Sequence, residues 1–150
     1  MQAAKLGELC HFLLRKDFSV SIETNGTISV PDWSVADKKP IWVIDYKLPS
    51  SGMVDDENLY ASQPCVTKKD WLKFVIFTEA DFDIAVDTVF RVKEKGHPID
   101  RDIQIAFSPG FSASGKNNFS LWKDKFLSSA LLKKHGVVLN LQVHKILEMD

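Results

Sequence analysis

The sequence predicts an α/β fold, a mostly parallel sheet with flanking helices, and three observations predict it. Short apolar, β-branched runs alternate with longer segments whose apolar residues recur at helical spacing, the pattern of βαβ units. Two of the runs discharge polar residues at one end: Ser19-Val20-Ser21-Ile22 opens into Glu23-Thr24-Asn25-Gly26-Thr27, and Ile41-Trp42-Val43-Ile44-Asp45 into Tyr46-Lys47-Leu48-Pro49-Ser50-Ser51-Gly52-Met53. Parallel strands deliver their carboxyl ends to one side, where ligands bind in such sheets. No internal repeat or low-complexity tract competes with this reading.

Each element has its own signal, taken here in chain order. Residues 2–16 carry Leu6, Leu9, Cys10, Leu13 and Leu14 on one helical face. A first strand is expected over 18–22. A proline-punctuated polar connector, 30–40, leads to a second strand over 41–45. The loop 48–68 has room for a short helical turn near 57–61, but this connection lacks a strong crossover helix. The third strand is predicted over 71–77. Residues 79–95 place Phe82, Ala85, Val86, Val89 and Phe90 on one helical face and stop at Gly96. The fourth strand covers 103–107. A Gly/Ser/Asn-rich loop, a helix over 121–134 stopped by His135-Gly136, and a fifth strand over 137–143 complete the chain. The first helix has no strand before it, as if half a βα unit were cut away.

At 150 residues the chain is long enough for one domain, 1–150, burying roughly 68–70% of its unfolded surface. Hydrophobic content of 45% and charged content of 26% are those of a soluble globular protein. A formal charge of −1 provides no basic field for nucleic acid. No apolar run approaches the roughly 20 residues that span a bilayer, and the amino terminus lacks a signal-peptide layout. The expectations are a cytoplasmic protein with no nucleic-acid and no membrane partner. Cys10 and Cys65 lie far apart, and a cluster or structural zinc site needs three or four soft ligands close together. Cys10 on an apolar helical face reads as a buried, inert thiol.

Five segments carry a resemblance to a known family: Glu23-Thr24-Asn25-Gly26-Thr27, Lys47-Leu48-Pro49-Ser50-Ser51-Gly52-Met53, Lys73-Phe74-Val75-Ile76, Phe107-Ser108-Pro109, and Leu141-Gln142-Val143-His144-Lys145. In this order they resemble the 7-carboxy-7-deazaguanine synthases, radical S-adenosylmethionine enzymes of queuosine and deazapurine biosynthesis. The resemblance implies an incomplete (β/α) barrel of the radical S-adenosylmethionine type. The family opens with a C-x-x-x-C-x-x-C loop for a [4Fe–4S] cluster and a G-G-E-P strand end, and neither occurs here. The chain therefore looks like the carboxyl-terminal two-thirds of such an enzyme. A sheet without its first strands would expose an edge, so a homodimer or larger assembly is expected.

Each candidate residue has a plain reading beside the functional one. Glu23 and Asn25 before Gly26 are ordinary turn residues; the resemblance places them at the barrel mouth, where Glu23 accepts hydrogen bonds from a pterin N–H edge. Pro49 and Gly52 bend the backbone in any case; the resemblance makes Asp45, Tyr46, Lys47, Ser50 and Ser51 a segment that contacts S-adenosylmethionine. Ser108, Pro109 and Gly110 read as a turn, or by resemblance as contacts to adenine and ribose. Lys73 within an apolar strand either points to solvent or reaches an acid such as Asp45. Asp81 and Asp83 are expected to cap or start the following helix. Gln142 and His144 share one face of a strand; by resemblance they and the Asp150 carboxylate approach substrate. No residue is assigned a catalytic role and none a metal.

The reaction implied is conversion of 6-carboxy-5,6,7,8-tetrahydropterin to 7-carboxy-7-deazaguanine with loss of ammonia, a lyase reaction using S-adenosylmethionine, a [4Fe–4S] cluster and magnesium. The ligands of the last two belong to the absent front, so these 150 residues alone are expected to be inactive. The alternative is a non-enzymatic nucleoside- or pterin-binding domain, or a subunit pairing with a separate cluster-bearing chain.

Overall fold

The computed structural model describes residues 2–26, 38–52, 67–96, 99, 101–111 and 118–141, with side chains from residue 6 onward. Five strands form one sheet in the order β1-β2-β3-β4-β5, every neighbouring pair parallel. They are β1 (Ser21–Thr24), β2 (Ile41–Tyr46), β3 (Trp71–Ile76), β4 (Gln104–Pro109) and β5 (Val138–Leu139). The helices are α1 (Gln2–Arg15), α2 (Glu79–Phe90), α3 (Phe119–Ser128) and α4 (Ala130–Lys134). The sheet does not close into a barrel, and among the described residues β1 and β5 are its outer strands.

When strand order follows chain order and crossovers keep one hand, the helices stack on one side of the sheet. The core bears this out. Cys10 and Leu14 of α1, Phe82, Ala85 and Val89 of α2, Trp122 of α3 and Leu132 of α4 join one buried cluster with Trp42, Ile44, Leu72, Phe74, Ile105 and Phe107. Its centre is aromatic: Phe107 packs edge-on against Phe74 and Phe82, and Phe82 stacks on Trp122 at 5.6 Å between ring centres. Alternate strand residues face the other side, which carries none of the described helices.

Element limits differ from the sequence reading in instructive ways. The first strand starts at Ser21, not residue 18, because Asp17 takes a left-handed turn (φ 63°) and Phe18 stays exposed. The fourth runs on through Pro109 because β3 pairs with it as far as Ile76. The helix expected over 79–95 is α-helical to Phe90 and closes in a π-helical turn, Arg91–Lys95, ended by Gly96 at φ 78°. The helix expected over 121–134 breaks at Ser129, which caps α4 through a hydrogen bond from Leu132 N–H. β5 is shorter than the predicted strand over 137–143, whose last residues lie outside those described. Among the described residues no helix is long and apolar enough to cross a membrane.

Candidate functional site

Strand register builds the site. Asp45 pairs with Lys73 and Lys73 with Ala106, while Glu23 pairs with Val43, two residues before Asp45 on the same face. Ser108 pairs with Val75, one step nearer the carboxyl ends. Glu23, Asp45, Lys73 and Ser108 therefore share the helix-free face, because side chains in register on parallel strands point the same way.

Lys73 is the hub of this face. Its ammonium donates to Glu23 Oε1 and lies 3.1 Å from Asp45 Oδ1, and Lys47 Nζ lies 3.5 Å from Asp45 Oδ2. The Lys73 side chain is only 6% exposed, whereas Glu23 is 62% exposed. Burial pushes the Asp45 carboxyl up, against the pull of Lys47, and pushes the Lys73 ammonium down. Each charge is held by its opposite neighbours. Below the cluster, Val43, Trp71, Ala106 and Val138 line a recess of about 290 Å³.

The strand ends around this cluster are cross-tied. Pro49–Ser51 forms a 3₁₀ turn closed by Gly52 at φ 70°, a left-handed position that suits glycine. Ser50 donates its hydroxyl and its N–H to Asp81, whose carboxylate also accepts from Phe77 N–H at 3.1 Å and Thr78 N–H at 3.0 Å. Gly110 N–H donates to Ile76 O at 2.7 Å, and Asn118 donates to Gly110 O and to Phe77 O. A Cβ on Gly110 would sit 2.5 Å from the Phe77 ring, so this glycine leaves the room that the ring fills.

The structure brings Glu23, Asp45 and Lys47 together and places Ser108 on the same face. Asn25 and Ser51 are exposed just beyond β1 and β2. Tyr46 faces the helices, its ring 4.9 Å from Phe74, and Pro109 is buried opposite Ile76. Gln142, His144 and Asp150 lie outside the described residues, as does Cys65. Sequence reasoning left Lys73 open between two roles, and it now pairs with the expected acid and a second one. Asp81 does cap α2, in a reciprocal box with Thr78. Asp70 was missed: it is 2% exposed and accepts from Trp42 N–H at 2.7 Å and from Thr67 N–H and Oγ1, tying β2 to β3. The Thr67-x-x-Asp70 spacing before an apolar run was the available signal.

A larger recess, about 620 Å³, lies at the amino ends of the strands beside Asp17, Lys38 and Lys69. Lys38 is paired to Asp17 there, Asp70 is spent on backbone, and ligands of parallel sheets gather at the other end. The carboxyl-end face is the better candidate.

The 7-carboxy-7-deazaguanine synthase of Clostridium acetobutylicum is 32% identical to this chain over 146 residues, covering 93% of the chain and 58% of that protein. Over those 146 residues the chain is similar to that synthase. The chain spans less than two-thirds of the relative it matches. No protein-family model and no solved structure matches it.

The residues present can be set against the groups this kinship implies. Among the described residues Cys10 is the sole cysteine, 1% exposed in the core, with burial raising its thiol pKa. No group of three His, Cys, Asp or Glu side chains among them could hold a metal. They do not fit an iron–sulfur cluster or a magnesium ion. Ser108 Oγ is sealed from water and has no hydrogen-bond partner among the described residues, whereas buried hydroxyls ordinarily have one.

Proposed function

We propose that this chain forms the pterin-facing and S-adenosylmethionine-facing strand ends of a 7-carboxy-7-deazaguanine synthase, a radical S-adenosylmethionine lyase of deazapurine biosynthesis acting in the cytoplasm. The observation that carries this reading is the convergence of Glu23, Asp45 and Lys47 around Lys73 on the helix-free face. The 32% identity to the Clostridium enzyme supports it.

Bound S-adenosylmethionine supplies the hydrogen-abstracting chemistry in this family. The residues of this chain orient and shield. Glu23, exposed and anchored at one oxygen, presents acceptor capacity to the N–H edge of a pterin. Lys47 and Ser51 serve as donors to the cofactor's carboxylate and ribose, and the strand end at Ser108 lies beside the nucleoside part. Ser50 plays a different part from the direct contact expected, fixing the loop by donating to Asp81. Gln142, His144 and the Asp150 carboxylate complete the substrate side of the proposal.

The test is an anaerobic assay of the chain joined at its amino end to a segment bearing the family's cluster loop and G-G-E-P strand. With S-adenosylmethionine, a reductant and 6-carboxy-tetrahydropterin, 7-carboxy-7-deazaguanine should form, and Glu23→Gln should lower pterin turnover at least tenfold, as loss of a charged hydrogen bond of about 1.5–3 kcal/mol implies. Cofactor cleavage with no conversion of the pterin would contradict the proposal.

A further inference from the structure

The helix-free face holds a lysine where an apolar residue would pack more easily. Lys73 lies on β3, yet its ammonium crosses the whole width of β2 to reach Glu23 on β1. On the way it passes Asp45, its register partner. Its stem runs beside Val43, Trp71 and Ala106, which accounts for its near-complete burial. Glu23 stands on a four-residue strand that has one neighbour among the described residues. A long carboxylate so placed samples many rotamers unless something holds it.

We infer that Lys73 is the positioning residue of the candidate site, fixing the Glu23 carboxylate of β1 and the Asp45 carboxylate of β2 against each other so that a pterin meets a preset acceptor. The inference rests on the pterin reading above. It joins the two halves of the site through one side chain, since Glu23 belongs to the substrate side and Asp45, through Lys47, to the cofactor side. Stability alone does not explain this lysine: replacing a whole buried ion pair by apolar side chains of similar volume is often neutral, although removing one partner alone is costly. Removing the ammonium leaves Glu23 solvated, whereas Asp45 keeps Lys47 at Oδ2 and loses its 3.1 Å neighbour at the buried Oδ1. Placement of Glu23 is therefore separated from stability by reading binding beside melting.

The test titrates the 150-residue chain with 6-carboxypterin, an intrinsically fluorescent probe carrying the substrate's N–H edge, and records melting curves alongside. Lys73→Met should weaken binding by about tenfold or more at a temperature where its melting curve shows the variant fully folded. Lys73→Arg, which keeps the charge, should recover part of the loss. Glu23→Gln should lose as much as Lys73→Met, and the double variant no more than either, because both act through one carboxylate. Binding by Lys73→Met equal to the wild type, or losses that add in the double variant, would overturn the inference while leaving the pterin reading standing. Failure of the wild-type chain to bind the probe would overturn both. Should Lys73→Met not fold, the decision passes to Lys73→Arg: recovery of binding with Glu23→Gln still impaired supports placement, and equal, additive losses refute it.

Discussion

Asp81 is the residue on which the rim of the site turns. Its side chain is 1% exposed and accepts four hydrogen bonds, two from Ser50 and one each from the Phe77 and Thr78 N–H groups. Burial alone would raise its pKa, but those donors outweigh burial and bring it below the ordinary 3.8. A carboxylate depressed in the native state contributes stability that is fully present above its unfolded pKa and lost as pH falls through the folded one. The acid limb of the stability curve should therefore steepen below about pH 4, the unfolded aspartate range. Asp81→Asn should flatten that limb, and Asp81→Ala should cost about 2–4 kcal/mol in denaturant unfolding at neutral pH, from a lost cap and lost charged hydrogen bonds. An acid limb unchanged in Asp81→Asn would show that the depressed pKa lies elsewhere.

At the level of elements, β3 and β4 are locked where they end. Gly110 lies against the Phe77 ring, and its N–H holds Ile76 O. Gly110→Ala should destabilise the protein by about 1–3 kcal/mol through overpacking. Phe77→Ala in the same background should return part of that loss, since it removes the ring that the new methyl would meet. Additive losses in the double variant would contradict this packing account. The same elements show how far sequence could reach. Alternation located β2 and β3 to within a residue, because one face of each is apolar throughout. The break between α3 and α4 escaped notice because it needs no glycine or proline: Ser129 simply leaves the helical region (ψ 112°) and caps α4. Alternation also put Lys73 on the face opposite Phe74, yet could not name Glu23 as its partner. That contact spans fifty positions and two strands, and only the register of three paired strands creates it.

For the whole molecule, sequential strand order and one-sided helices produce a sheet with a packed back and a polar front. The resembling segments at Glu23, at Lys47 and at Phe107 fall at the carboxyl ends of β1, β2 and β4, on one side of the sheet as parallel pairing requires. The part of the site assigned to Gln142, His144 and Asp150 was legible as a pattern only, since those residues lie outside the structure described. The central claim is one of location: the ligands belong on the helix-free front, although the larger recess lies at the amino ends. A crystal structure of the chain with S-adenosylmethionine and 6-carboxypterin tests it most directly. The account predicts the pterin N–H edge against Glu23, with the cofactor along Lys47, Ser51 and Ser108. Both ligands seated in the amino-end recess beside Lys38 and Lys69 would contradict it.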